Sequence, residues 1–157
     1  MSPTRILIGV DGSESSIDAL RRGAVIAAAL NAPLEAIMTW DYPSIMAGYY
    51  PAAEWSPESD ARQTLEDAVT KAFPGNRPSG LTLTLRMGPP SRTLIEESKN
   101  AAMLVLGSRG HGGFVGLLLG SVSATCAEHA HCPVLIMHLP QEQTAPRADA
   151  DMEPRKP

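Results

Sequence analysis

The chain has 157 residues, with 13 Lys and Arg against 17 Asp and Glu and a net charge of −4. That balance excludes the basic footprint of a nucleic-acid-coating protein or of a basic membrane binder, and the length is one domain's worth, enough to bury roughly two thirds of its unfolded surface. No apolar run approaches the roughly 20 residues needed to cross a bilayer, and the start of the chain enters a strand with no apolar export region. The expectation is a cytoplasmic protein with no nucleic-acid or membrane partner, whose Cys126 and Cys132 stay as thiols.

In chain order, Arg5-Ile-Leu-Ile-Gly-Val-Asp11 is a short apolar run without helical period, as expected of a strand buried on both faces. Ser13 is a candidate N-cap, and Ile17, Leu20, Ala24 and Ala27 or Ala28 recur at helical spacing until Asn31 and Pro33. Leu34 to Trp40 reads as the second strand. After it, Trp40, Tyr42, Tyr49, Tyr50 and Trp55 crowd an irregular stretch. Those rings suit either a lid or partner surface, or a loop packed on itself.

Ser56-Pro57 opens a second helix whose apolar face is Ala61, Leu65, Ala68, Val69 and Ala72. Leu81-Thr-Leu-Thr-Leu85 alternates with period two, which suits an edge strand with one wet face. Pro90 is expected at the first position of a third helix reaching Asn100, followed by a fourth strand over Ala102 to Gly107. A fourth helix is expected from Ser121 to about His131 and a fifth strand from Pro133 to His138. The domain is thus expected over 1–140, and the proline-rich, charged stretch 141–157 reads as a disordered tail.

This alternation of strands and helices predicts an α/β fold with a parallel sheet and helices on both faces. It does not set the strand order.

Between the fourth strand and fourth helix lies Gly107-Ser-Arg-Gly-His-Gly-Gly-Phe-Val-Gly-Leu-Leu-Leu-Gly-Ser121. Glycines let a backbone approach an anion, and the free N–H groups of a helix start attract one. No lysine follows as a P-loop requires, and Val115 stands where a dinucleotide fingerprint needs its third glycine. What remains is Gly107-x2-Gly110-x9-Gly120-Ser121. In this spacing, and in the closing Cys132-Pro-Val-Leu, the chain resembles the universal stress protein family, in its ATP-binding branch, over about residues 4 to 139.

The resemblance implies a single-domain, Rossmann-like, open five-stranded sheet of order 3-2-1-4-5, with ATP and Mg²⁺ as ligands at the switch point between strands 1 and 4. It implies an adenine or ribose contact at Asp11 with Gly12, a backbone contact to adenine at Trp40, and phosphates along Leu106, Gly107, Gly110, Gly120, Ser121, Val122 and Ser123. Arg109 either reaches a phosphate or is a solvated loop arginine, and His111 is a second loop cation. It also implies a homodimer through Val134 to Met137. Phosphate holders are readable, but no catalytic base is. The family reading is therefore a nucleotide-dependent stress-response regulator or sensor, with a slow ATPase or self-phosphorylating protein (Ser121 or Ser123 as acceptor) and a nucleotide-free dimeric scaffold as alternatives. Cys126-Ala-Glu-His129-Ala-His131-Cys132 invites a metal reading, since Cys126 and His129 are spaced to share a helix face, but the resemblance makes Cys126 a core residue.

Overall fold

The structure, a computed structural model, describes residues 5–43, 55–110 and 118–139. Tyr49, Tyr50, His111 and the tail 141–157, on which some of the expectations fall, lie outside the described residues. The elements are β1 (Arg5–Gly9), α1 (Glu14–Leu30), β2 (Leu34–Trp40), α2 (Pro57–Ala72), β3 (Leu81–Met87), α3 (Pro90–Ser98), β4 (Ala101–Gly107), α4 (Ser121–His129) and β5 (Val134–Met137). All pairings are parallel and the order is β3-β2-β1-β4-β5. The fold class and strand order are those the resemblance implied.

Period two explains how one short strand feeds two cores. Ile6, Ile8 and Val10 join Leu20 of α1 and Leu65 and Val69 of α2, whereas Leu7 joins Ile37, Leu94 of α3, Leu104, Leu106 and Cys126 of α4. Helices α1 and α2 therefore cover one face, α3 and α4 the other. Ile6, Leu7 and Ile8 have no exposed surface, and each such side chain taken from water stabilises by about 2 kcal/mol.

Helix ends follow local chemistry. Ser13 caps α1 by accepting the Ser16 N–H at 3.3 Å, and Asn31 closes it in the left-handed region, φ 50°. Ser56 caps α2 with Pro57 behind it. The fourth helix is two residues shorter than expected, because Ala130 turns extended and the His131 N–H is taken by the Ser98 hydroxyl at 2.8 Å. Helix α3 stops at Ser98 rather than Asn100, with the Ser98 hydroxyl bonded to the Ile95 carbonyl at 2.6 Å. Strand β3 lies at the sheet edge and runs two residues past the alternating stretch, because Arg86 and Met87 still have Thr39 and Trp40 of β2 to pair with.

Candidate functional site

At the carboxyl ends of β1 and β4 the chain diverges to opposite faces, into α1 on one and α4 on the other, which leaves a crevice at the switch point. A cleft of about 680 Å³ occupies it, within the range of small-molecule sites. Its walls are mainly apolar, with Ile37, Met38, Leu94, Leu106, Leu119 and Val122. Of the sequence-predicted residues, Asp11, Leu106, Gly107, Arg109, Gly110, Gly120, Ser121, Val122 and Ser123 line it. Gly12 and Trp40 do not.

Asp11 follows β1, and Gly12, at φ 86°, turns the chain into α1. One Asp11 carboxylate oxygen accepts the Ser13 N–H at 2.9 Å and its hydroxyl at 2.5 Å. The other lies where a Cβ of Gly110 would fall, so a side chain at 110 would have to displace the carboxylate. Gly107 lacks a side chain for a different reason. A Cβ there would lie 2.7 Å from the Ser15 carbonyl carbon and 2.8 Å from the Ser16 nitrogen, so the missing methyl admits the start of α1.

The ends of the glycine loop are latched. The buried Ser108 offers its carbonyl to the Gly120 N–H at 2.7 Å and to the Ser123 hydroxyl at 3.0 Å. Ser123 is itself buried, so its hydroxyl, expected to face a phosphate, is committed to the latch. Ser121 is exposed at the start of α4. Gly120 carries no side-chain cap, so the opening N–H groups of α4, whose first intrahelical bond is from Ala124 to the Gly120 carbonyl at 3.0 Å, face the cleft side without an intrahelical acceptor.

Trp40, the last residue of β2, lies just outside the cleft lining. Its ring stacks edge-on with Tyr42, centroids 5.7 Å apart, and its carbonyl accepts the Gly88 N–H at 2.9 Å. Ile37, Met38 and Thr39, the three residues before Trp40, line the cleft. Sequence reasoning missed Thr39, and also Pro90 and Leu94 of α3; the place of Thr39 at the carboxyl end of β2, next to Trp40, was the signal available for the first. Among the polar side chains of the cleft, Ser13, Ser16 and Ser123 are spent on local hydrogen bonds, Ser16 giving its hydroxyl to the Ser13 carbonyl at 2.9 Å. Thr39 at one end and Arg109 and Ser121 at the other have side chains with no hydrogen-bond partner among the described residues.

No cluster of three His, Cys, Asp or Glu suited to a metal occurs among the described residues. Cys126 is fully buried, its thiol pushed up to about 11 by burial, while His129 is exposed on the helix, so the pair does not act as a chelate. Burial likewise raises Cys132, partly offset by the Leu104 N–H. No helix of the described residues is long and apolar enough to cross a membrane.

The universal stress protein family model matches residues 3–138. The chain belongs to that family. Among universal stress proteins, one from Mycobacterium tuberculosis is 35% identical over 153 residues, covering 90% of this chain and 52% of the relative. The chain spans about half the length of the mycobacterial relatives it matches. Universal stress protein UspA from Lactobacillus plantarum shares the fold with a TM-score of 0.70 at 20% identity, over 87% of this chain and 99% of that one. A universal stress protein solved in complex with cAMP matches with a TM-score of 0.61 at 29% identity, over 88% and 99% of the two chains.

Proposed function

We propose that the switch-point cleft binds an adenine nucleotide, ATP with Mg²⁺, and that the protein is a nucleotide-dependent stress-response regulator or sensor. The observation that carries this reading is the polarity of the cleft: an apolar middle with polar side chains at its two ends that have no partner among the described residues, Thr39 on β2 and Arg109 with Ser121 beside the open N-terminus of α4. A base fits the Thr39 end, and phosphates fit the α4 end, where N–H groups and the helix dipole favour negative charge. Asp11 stands between the two, within reach of a ribose hydroxyl. A related protein binds cAMP, which supports an adenine ligand here.

The residues fit the ligand they would hold. Gly110 has room only for a hydrogen beside the Asp11 carboxylate, and Gly120 packs against the Ser108 to Gly110 backbone, its absent Cβ 3.4 Å from the Ser108 carbonyl oxygen, so the two glycines let both ends of the loop approach closely at the phosphate end. Mg²⁺ would be held chiefly by phosphate oxygens and water, as that ion prefers, and would neutralise part of the phosphate charge. Beyond that, Arg109 contributes the loop's positive charge and α4 its N–H groups. A second reading, slow hydrolysis or self-phosphorylation, is favoured by a single observation: Ser121 is exposed at the phosphate end, whereas the Ser123 hydroxyl is committed. Labelling by radioactive ATP at Ser121 would support it. β5, half-buried along its whole length at the sheet edge, is the surface through which we expect a homodimer, checked by sedimentation.

The deciding experiment is to denature freshly purified protein, identify released nucleotide by mass spectrometry, and titrate MgATP calorimetrically, with a Gly110→Asp variant alongside. Near-stoichiometric adenine nucleotide in the wild type, lost in the variant because a second carboxylate meets Asp11, is the expected result. No released nucleotide and no MgATP binding would replace this reading with the scaffold.

A further inference from the structure

Ser15 lies in the first turn of α1, 1% exposed, and does not line the cleft. A serine there would ordinarily bond back to its own turn, as neighbouring Ser16 does to the Ser13 carbonyl. Ser15 instead donates its hydroxyl across 94 residues to the Arg109 carbonyl, at 2.6 Å. Its oxygen and backbone occupy the space that a side chain at Gly107 would need. The Ser13 hydroxyl, bonded to Asp11, stands 3.4 Å from the Ser15 hydroxyl, so a short polar chain joins the Asp11 carboxylate to the loop that Asp11 faces at Gly110.

We infer that Ser15 is a positioning residue of the nucleotide site: it holds the Arg109–Gly110 peptide against α1, and so fixes the near lip of the glycine loop without touching the ligand. The far lip is held separately, by Gly120 and Ser123 on the Ser108 carbonyl. Arg109 and Gly110 are exposed, and without the Ser15 bond nothing else among the described residues accepts or donates at the Arg109 carbonyl. The inference rests on the nucleotide reading for its purpose, but the pin itself is testable without ligand.

The carbonyl that Ser15 holds is the one trypsin attacks in cutting after Arg109. The full-length Ser15→Ala and Ser15→Thr variants are therefore digested without nucleotide, fragments ending at Arg109 being counted by mass spectrometry against cleavage after Lys99 in the α3–β4 turn. Loss of one hydrogen bond predicts about fivefold faster cleavage at Arg109 in the alanine variant, no change at Lys99, and about fivefold weaker MgATP binding with a nearly unchanged melting temperature. The threonine variant, which keeps the hydroxyl, restores both. Wild-type cleavage in Ser15→Ala overturns the pin, and faster cleavage with unchanged affinity overturns its role in binding. If the wild type binds no MgATP, the nucleotide reading and the binding role fall together, and the cleavage rates still decide whether the pin exists.

Discussion

Two polar regions of this molecule use the same residue types to opposite ends. Toward the entry ends of β1 and β2, Arg5 gives one nitrogen to Glu35 and another to Glu97, each at 2.6 Å; Thr84 donates to Glu35 at 2.6 Å and Arg86 to Glu97 at 2.8 Å. Every carboxylate oxygen in this group is occupied, and only the Arg5 Nε is buried without a partner among the described residues. At the exit ends, the cleft has Thr39, Arg109 and Ser121, whose side chains have no hydrogen-bond partner among the described residues, around an apolar middle. A closed polar group stabilises or specifies the fold; one left open is available to a ligand. The difference lies in what remains unpaired, not in how many polar residues are present.

The largest effect should come from breaking the closed side. Glu35→Ala leaves Arg5 half-buried with one carboxylate fewer, and should destabilise by about 3 kcal/mol in urea unfolding, with little change in the affinity of the folded protein for MgATP. Next, Gly107→Ala forces a methyl onto the backbone of Ser15 and Ser16, should cost about 2 kcal/mol, and should weaken nucleotide binding as well, because it moves α1 and the loop together. Stability and affinity separate in the first variant and fall together in the second.

Glu97 sharpens the comparison through pH. Burial works to raise its carboxyl, but hydrogen bonds from Arg86 and Arg5, with their charges, outweigh that and hold it below the usual 4.5. A depressed folded value contributes stability that is present above the unfolded value and lost as pH falls through the folded one. Glu97→Gln should therefore cost about 1.5 kcal/mol at pH 7 and progressively less below 4.5, measured as the gap between wild-type and variant unfolding curves. A constant gap across that window would mean that the Glu97 charge does not matter to the closed group. The smallest effect belongs to the open side: Thr39→Val keeps shape and removes a hydroxyl, and should lower ATP affinity about threefold while leaving stability almost unchanged.

Much of the fold was legible because it is written in local chemistry. Ser13 and Ser56 announce their helices, Asn31 and Pro33 end the first, and Leu81 to Leu85 alternate as an edge strand with one wet face does. The family spacing of Gly107, Gly110 and Gly120 picked out a loop whose ends line the switch-point cleft, and nine of the named residues lie along that cleft. What escaped was anything that needs two segments at once. Trp40 looked like the strand end nearest the ligand, but the cleft lining stops at Thr39, and the Trp40 ring stacks edge-on with Tyr42. Ser123 looked like a hydroxyl free for a phosphate, and nothing local singled out Ser15; their partners, the Ser108 and Arg109 carbonyls, come from a different segment of the chain.

By itself, the sequence determined where strands and helices begin, which faces are apolar and, through its glycine spacing, which loop faces the crevice, because propensity, capping and periodicity act over a few residues. The tertiary structure alone decided which polar groups are spent and which are free. Hydrogen bonds such as Ser15 to Arg109 and Arg5 to Glu97 join residues more than ninety positions apart, and only the parallel pairing of β1 with β4 brings those partners within reach.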